Sequence, residues 1–232
     1  MTYEGEKIEF FVCKKKIKNV NIKINRNGII VISAPYQTTI KRIKEIILEK
    51  INWIKKSCEY VKSLETKKEK LRFEEGESLY ILGEKYILKI VPSDINQVEL
   101  SNKFLTIYVK EQFIDNKEYI EKIYIKWIKE VAVDTFNKGV RKYCKKVEDY
   151  NISVPDIEVK QMKSRWGTCM IGRKRIIFNL GLIRAPIECV EYIALHEIAH
   201  FKHPGHDKKF YDFVQNFMPD WKQRKKLLDE KY

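Results

Sequence analysis

The sequence predicts an α+β protein with a β-rich N-terminal unit, followed by a unit made mainly of helices. Short runs of alternating apolar and polar residues, separated by turn residues, predict strands in residues 1–110. Beyond that point most apolar residues recur at helical spacing. We therefore expect two domains, residues 1–110 and 111–232. With 44% hydrophobic residues, a chain of 232 residues can bury a substantial core.

The first strands are expected between residues 7 and 35. Alternating runs fill this segment, and Asn27-Gly28 separates the last two of them. Asn-Gly is the strongest short-range signal for a two-residue hairpin turn, because such turns require positive φ. The chain is therefore predicted to begin with a small sheet.

One amphipathic helix is predicted next, from Thr39 to about Ser63. Isoleucines recur at helical spacing with lysines between them, so one apolar face can lie on the sheet. We interpret Trp53 as a core residue of this helix. Two hairpins are expected beyond it, with turns at residues 83–84 and 101–103.

A long helix is predicted from Asp115 to about Val147, and Gly139 is expected to bend or end its regular part. A small antiparallel or mixed sheet should follow, with strands at residues 157–159, 162–169 and 175–178. A buried helix then begins at Pro186, where the missing N–H of proline costs nothing.

All four histidines lie at and just beyond the end of this buried helix. His196 and His200 are four residues apart, so on a helix both project from one face, with Glu197 rotated by about 100°. The pattern His-Glu-x-x-His is typical of metallopeptidases, in which the histidines bind zinc and the glutamate acts as general base. Catalytic zinc takes three protein ligands and keeps one position open for water. We therefore predict one Zn²⁺ per chain and Glu197 as the catalytic acid and base.

The third zinc ligand is predicted to be His206. It follows His200 by six residues, the interval found in metzincins, and a Pro-Gly turn between them lets the chain return to the metal. His203 is an alternative, although the proline after it disfavours helical geometry. A carboxylate further along, such as Glu230, is a second alternative.

The helix after the histidines is predicted over residues 208–217, with Asp207 as its N-cap. Its apolar face should pack beneath the metal site. Tyr211 faces elsewhere and is a candidate proton donor to a tetrahedral intermediate, as is Arg165.

Residues 164–169 form a candidate substrate-binding strand. An edge strand beside the metal can bind an extended peptide by backbone pairing, and Gly167 would allow close approach. Alternatively, Trp166 belongs to the core and Arg165 pairs with a carboxylate. Asn179 either contacts substrate or ends a strand.

Several segments together resemble the YgjP-like family of predicted zinc metallopeptidases. The resemblance is carried by residues 163–169, 177–180, 183–186, the His-Glu helix, 210–211 and 219–221, and in the N-terminal part by residues 28–35, 53–54 and 76–83. It thus covers nearly the whole chain. The sequence is also distantly similar to the SprT and WLM groups of zincins.

This resemblance implies a zinc-dependent hydrolase with a minimal zincin-like core, in which a long helix precedes a small sheet, the His-Glu helix and C-terminal helices. It implies three histidine ligands, His196, His200 and His206, with Glu197 as acid and base, but no particular substrate. As a departure from the family, Asp207 stands where serine is expected. An additional histidine, His203, is a second departure.

The net charge of +14 raises the question of nucleic-acid binding. Arginine supplies only nine of the 46 basic residues, and lysine occurs in every segment, as expected from compositional bias. Phosphate recognition favours clustered basic residues and arginine. A basic surface nevertheless attracts polyanions, so nucleic acid stays a candidate partner.

The sequence predicts a cytoplasmic protein without a membrane span. It has no apolar run of membrane-spanning length and no signal-peptide core at its start. Five scattered cysteines fit reduced thiols. The oligomeric state is not indicated.

The predicted function is that of a zinc peptidase acting on peptides or proteins. The same centre could instead hydrolyse a nucleotide phosphoanhydride, or belong to a nucleic-acid-associated protease of SprT type. A binding module with structural zinc is a further alternative, but it would have no use for the general base Glu197.

Overall fold

The structure is a computed structural model that describes residues 2–3, 6–24, 29–67 and 71–232. It is a mixed α+β protein, as predicted, and divides into two compact units, Met1–Lys70 and Leu71–Tyr232. Within the described ranges, no helix combines the length and apolar character that crossing a membrane requires.

The first unit consists of short strands, one three-stranded sheet and two helices. Its elements are β1 (Thr2–Tyr3), β2 (Glu6–Lys7), β3 (Phe10–Lys15), β4 (Asn21–Ile24), β5 (Ile30–Pro35), α1 (Ile40–Glu49) and α2 (Ile51–Lys67). β1 pairs with β2, and the sheet has the order β3-β5-β4, with β5 parallel to β3 and antiparallel to β4. The antiparallel pair agrees with the predicted hairpin, but its turn at Asn27-Gly28 lies outside the described residues.

The core of this unit lies between one face of the sheet and the two helices. Ile32 of β5 and Ile43 and Ile47 of α1 are completely buried there. The single predicted helix is interrupted at Lys50, the C-cap of α1. Contrary to the prediction, Trp53 is not a core residue, since it is 51% exposed. The core-facing residues of α2 around it are isoleucines, and Trp53 projects from another side of the helix.

The second unit begins with a four-stranded sheet. Its strands are β6 (Ser78–Ile81), β7 (Glu84–Ser93), β8 (Gln97–Ser101) and β9 (Phe104–Lys110), in the order β6-β7-β9-β8 with β7 and β9 parallel. The β6–β7 turn lies at Leu82-Gly83, one residue earlier than predicted. Both residues have positive φ, 50° and 84°, as a type I′ turn requires.

The predicted domain boundary at residue 110 does not coincide with the division at residue 70. Leu88, Leu105 and Ile107 of this sheet are buried in the same core as the long helix that follows. In addition, the backbone N–H of Leu82 donates to the carbonyl oxygen of Ile183 at 2.7 Å. Strand-rich composition continues across residue 70, and composition does not reveal which core a strand joins.

The remainder of the second unit contains the second sheet and the other helices. The elements are α3 (Lys117–Lys146), β10 (Asp156–Lys160), β11 (Gly167–Met170), β12 (Arg175–Asn179), α4 (Ile187–Ala199), α5 (Lys208–Phe217) and α6 (Trp221–Lys231), with short 3-10 helices at Glu111–Phe113, Glu148–Tyr150, Ile171–Arg173 and Leu180–Arg184. The sheet order is β10-β12-β11, with β12 parallel to β10 and antiparallel to β11, so the sheet is mixed as expected.

Two details of this part differ from the sequence prediction. α3 continues through Gly139, which lies where α3 approaches Ala194 of α4. β11 begins only at Gly167, because the preceding residues form a loop held by Asn179. In the second unit, β11 and α4 lie next to each other.

Candidate active site

The predicted His-Glu pattern lies at the C-terminal end of α4. Pro186 is the N-cap, one residue before the helix begins, and His200 is the C-cap. Nine residues of α4 are buried, because the helix contacts α3, β11, α5 and α6. Its end therefore places polar side chains in a largely apolar interior.

The structure brings His196, His200 and His206 together. One ring nitrogen of each lies within 4.8 Å of those of the other two. Nε2 of His196 and Nε2 of His206 are 3.0 Å apart. Nδ1 of His200 lies 3.3 Å from the carbonyl oxygen of His203. This last contact orients the ring of His200 so that its other nitrogen is available to the cluster.

The other two candidates for the third ligand lie elsewhere. The ring of His203 packs against Phe213, with centroids 5.6 Å apart. Glu230 lies 3.8 Å from Lys226 on the same helix. Neither belongs to the group of side chains that could share a metal ion.

The three histidines fit a divalent metal. Nδ1 of His196 is buried without a hydrogen-bond partner among the described residues. Burial, with the neighbouring His200 and His206, lowers the pKa of His196 to about 3. Burial and His206 also lower the pKa of His200. The rings of His196 and His200 are thus held in the neutral form that binds metal, and imidazole nitrogens are ligands that zinc prefers.

Phe210 supports the three imidazole rings from α5. It is completely buried, and its ring centroid lies 4.9 Å from that of His196, 4.8 Å from His200 and 4.7 Å from His206. Asp207 is the N-cap of α5, as predicted, and its Oδ1 accepts a 3.0 Å hydrogen bond from the backbone N–H of Phe210. The cap therefore fixes the ring on which the histidines pack.

Glu197 is a buried carboxylate beside this cluster, with 5% of its surface exposed. Burial raises its pKa to about 7, although a hydrogen bond from the backbone N–H of Cys169 and the charge of Arg165 act in the opposite direction. A carboxyl group with this pKa can take up and release a proton near neutral pH.

Gly167 lies directly against Glu197. A Cβ atom at Gly167 would be 2.6 Å from Oε1 and 2.8 Å from Cγ of the glutamate. Since any other residue carries a Cβ, only glycine lets β11 approach this closely.

A cavity of about 580 Å³ opens onto the histidines and Glu197. Arg165, Trp166 and Gly167, for which substrate contacts are predicted, are among the residues that line it. Trp166 also packs against the core, as the alternative interpretation of this residue held. Within the described part of the chain, Arg165 makes no ion pair with a carboxylate. Its guanidinium group is exposed beside the cavity.

Tyr211 does not line the cavity. Its ring stacks on Trp221, with centroids 5.1 Å apart, and lies 6.2 Å from the ring of His206. Its place in the structure is therefore beside a ligand histidine and not at the cavity wall.

Asn179 holds the loop that leads into β11. Its Nδ2 donates to the carbonyl oxygens of Met162 at 2.9 Å and Arg165 at 2.8 Å. Its Oδ1 accepts from the backbone N–H groups of Gly181 at 3.0 Å and Met162 at 3.3 Å. Its backbone N–H donates to the carbonyl oxygen of Trp166 at 2.8 Å. Asn179 is the last residue of β12, which is one of the two roles weighed from the sequence, and it also determines the path of the cavity rim.

Residues of α6 also line the cavity and were not predicted. Lys225, Leu228 and Asp229 of this helix are among the lining residues. The sequence related α6 to the site only through Glu230, the alternative metal ligand, and not through these three residues. Tyr192 lines the cavity too, and its position four residues before His196 was a signal that could have found it.

The YgjP-like family, described as a metallopeptidase domain, matches residues 18–231. A comparison with curated protein sequences returns no match. Among solved structures, the metallopeptidase zymogen of Methanocaldococcus jannaschii jannalysin is similar, with 24% identity and a TM-score of 0.36 over 41% of this chain and 95% of that one. The metallopeptidase zymogen of Pyrococcus abyssi abylysin has 19% identity and a TM-score of 0.35 over 40% and 89%. On the strength of the family match, which spans most of its length, the chain belongs to the YgjP-like family of metallopeptidase domains.

Proposed function

We propose that this metallopeptidase is zinc-dependent and uses Glu197 as general acid and base. The observation that carries the proposal is the convergence of three histidine ring nitrogens beside a buried carboxylate. His196, His200 and His206 would hold one zinc ion per chain. Bound zinc would supply Lewis acidity, which polarises a carbonyl group and makes water more acidic.

Glu197 is suited to moving the proton in this reaction. The backbone N–H of Cys169 holds its carboxylate, and a pKa of about 7 leaves both protonation states accessible at neutral pH. It can accept a proton from water and return it to the leaving amine. A positioned acid or base of this kind contributes about 10²- to 10⁴-fold to the rate.

The substrate is proposed to be an extended peptide that pairs with β11. In the described sheet β11 is an edge strand, and Gly167 to Cys169 line the cavity. Because Trp166 pairs with Asn179 on β12, the alternation of an antiparallel ladder directs the backbone groups of Gly167 and Cys169 away from β12. The Cys169 N–H reaches Glu197, which agrees with this direction. The remaining groups can bind a peptide backbone.

A nucleotide phosphoanhydride is the second candidate substrate. Arg165 and Lys225 both line the cavity, and a guanidinium group binds phosphate with two parallel hydrogen bonds. Nucleoside triphosphates therefore belong in the first activity screen.

We also propose a cytoplasmic location. All five cysteines are free thiols, which fits a reducing compartment.

The proposed activity is tested with full-length protein purified without a histidine tag. Metal content is measured by mass spectrometry, and a peptide library and a set of nucleoside triphosphates are incubated in parallel. Wild type should contain one zinc per chain and cleave peptides. Glu197→Gln should retain the zinc and lose about 10²-fold or more of the activity.

Glu230→Gln is the matched control, because it removes an exposed carboxylate outside the cluster. It should retain both zinc and activity. Full activity of Glu197→Gln would show that the assigned proton transfer is wrong. Cleavage of nucleotides without cleavage of peptides would establish the second candidate substrate instead.

A further inference from the structure

The positive charge of the chain is concentrated in the first unit. Residues 1–70 contain 17 basic and 8 acidic residues, a net charge of +9, whereas residues 71–232 contain 29 and 24, a net charge of +5. Nine of the basic residues, and no acidic residue, fall between residues 10 and 44. Compositional bias alone would spread the charge evenly along the chain, but the observed distribution is uneven.

The acid-free stretch contains the whole β3-β5-β4 sheet. One face of this sheet packs against α1 and α2. The opposite face is here called the outer face. Its residues are identified from the alternation of more and less exposed side chains along each strand and from the strand register. Its rows are Phe11–Val31–Lys23 and Cys13–Ser33–Asn21, followed by Lys15–Pro35.

An exposed aromatic ring stands on this outer face. Phe11 is 63% exposed, although it lies within a strand whose neighbouring residues turn toward the core. Phe11 and Lys23 flank Val31 in the same row of the sheet. The row therefore offers a flat ring and a cation on either side of a small apolar residue.

Four exposed lysines lie on the outer face and in the loop after β3. They are Lys15, Lys16, Lys18 and Lys23. None of them forms an ion pair with a carboxylate within the described part of the chain. Lys14 differs from them, because its Nζ donates to the carbonyl oxygens of Pro35 and Thr38. Among the described residues, no carboxylate therefore neutralises these four cations.

We propose that the outer face binds single-stranded nucleic acid, independently of the peptidase activity. The lysine-rich surface, built from a stretch of sequence without acidic residues, is complementary to a phosphate backbone. Phe11 can stack on a base, and base faces are accessible in single strands. Lysine acts as a point charge and does not read base edges in a fixed geometry, so the binding is independent of sequence.

An anionic membrane is the competing partner for such a surface. Membrane-surface binding relies on an amphipathic helix with several apolar residues that enter the lipid. The outer face is built from strands and presents one large ring. These features favour the nucleic acid.

Binding is tested by fluorescence anisotropy on the full-length protein, with single-stranded DNA and RNA of about 12 nucleotides, a length within the range that such sites cover. The salt dependence of the affinity is measured for each. The first variant replaces Lys15, Lys16, Lys18 and Lys23 with glutamine. Its control replaces four exposed lysines of the second unit, Lys85, Lys103, Lys122 and Lys126, and so removes the same charge.

Wild type should bind single strands more tightly than the matching duplex. The first variant should lose affinity, and its plot of log K against log salt should become less steep by up to about 2.8 in slope. The control variant should keep the wild-type affinity and salt dependence. Phe11→Thr preserves the preference for a strand and should weaken binding by about fivefold or more. Circular dichroism and peptidase activity report whether each variant is folded.

Three results would overturn the proposal. Equal losses in the two lysine variants would mean that net charge alone causes binding. An unchanged affinity of Phe11→Thr would show that Phe11 does not stack on a base, and the proposed reason for a preference for single strands would be lost. Binding to vesicles of phosphatidylcholine and phosphatidylserine, without binding to oligonucleotides, would identify a membrane as the partner.

Discussion

A Cβ atom at Gly167 would lie 2.6 Å from Oε1 of Glu197, so the backbone of β11 occupies the space next to the carboxylate. The same strand donates the backbone N–H of Cys169 to that carboxylate. β11 therefore has two roles, since it lines the substrate cavity and also fixes the proposed acid and base. The position of Glu197 depends on the absence of a side chain at residue 167.

We predict that Gly167→Ala lowers kcat/KM by roughly 100-fold, because misplacement of a reacting group by about 1 Å can cost this much. The three atoms nearest to the new methyl group all belong to Glu197, so zinc content should not change. Gly172→Ala is the control, since a Cβ atom there would meet nothing within 4 Å. Wild-type kinetics of Gly167→Ala would show that Glu197 can move without loss.

Replacement of His206 and replacement of His203 should have different effects on the zinc content. His206→Ala removes a ring nitrogen from the group that converges within 4.8 Å, and we expect zinc to fall well below one per chain. His203→Ala removes a ring that packs on Phe213 outside the group, and zinc should be retained. Atomic mass spectrometry of both variants measures this. Loss of zinc from His203→Ala alone would reverse the ligand assignment.

Much of the candidate site was predictable because it depends on local geometry. The four-residue spacing of His196 and His200 places both on one helical face, and the Pro-Gly turn returns His206 to them. The N-cap at Asp207 is equally local, since its bond reaches only three residues along the chain. The histidine cluster and the N-cap could therefore be predicted from the spacing of residues along the sequence.

Features that depend on tertiary packing were not predictable in this way. The contribution of Leu228 and its neighbours on α6 to the cavity depends on where a distant helix packs. The exposure of Trp53 depends on which side of α2 meets the sheet. Leu82 has positive φ, which is unusual for leucine, so no residue preference marked the true turn.

Asn179 is expected to act as a positioning residue for the cavity rim. Asn179→Asp keeps the acceptor oxygen but turns the donor toward Met162 and Arg165 into a second oxygen that faces their carbonyl groups. We predict a loss of about 1–3 kcal/mol in the free energy of unfolding. We also expect a larger change in KM than in kcat, because the displaced loop leads into the substrate strand.

Asn151→Asp is the control for this substitution. Asn151 is exposed and has a φ of 56°, a conformation that aspartate also tolerates. Urea denaturation and steady-state kinetics of both variants make the comparison. If Asn179→Asp lost stability but kept the wild-type KM, the residue would have a structural role only.

Gly139 offers the opposite prediction to Gly167. It lies inside α3, and an added Cβ atom would meet only the Cβ of Ala194 at 3.7 Å, an ordinary van der Waals distance. Glycine inside a helix is less favourable than alanine by about 0.5–1 kcal/mol, so Gly139→Ala should stabilise the protein by that amount. Gly83→Ala should destabilise it, because φ is 84° there and Pro186 Cγ would lie 2.9 Å away. Thermal unfolding of both variants gives the sign of each effect.

Glu191 should make the stability of the second unit depend on pH. Burial acts to raise the pKa of this carboxyl, but hydrogen bonds from Lys142 and Arg224 outweigh it, and the pKa lies below the ordinary value of 4.5. A carboxyl with a lower pKa in the folded state stabilises the protein above the unfolded pKa. This contribution is lost as the pH falls through the folded pKa.

We therefore predict that Glu191→Gln lowers the free energy of unfolding at pH 7 by about 1–3 kcal/mol, because the hydrogen bonds from Lys142 and Arg224 to a charged carboxylate are lost. The difference from wild type should shrink as the pH falls below about 4.5, where the unfolded chain begins to bind the proton, and should vanish below the folded pKa. Glu188→Gln, at an exposed position on the same helix, should have little effect at either pH. Urea denaturation at pH 7 and at pH 3.5 measures both. A difference that stayed constant between these pH values would mean that Glu191 stabilises the fold by packing and not by its charge.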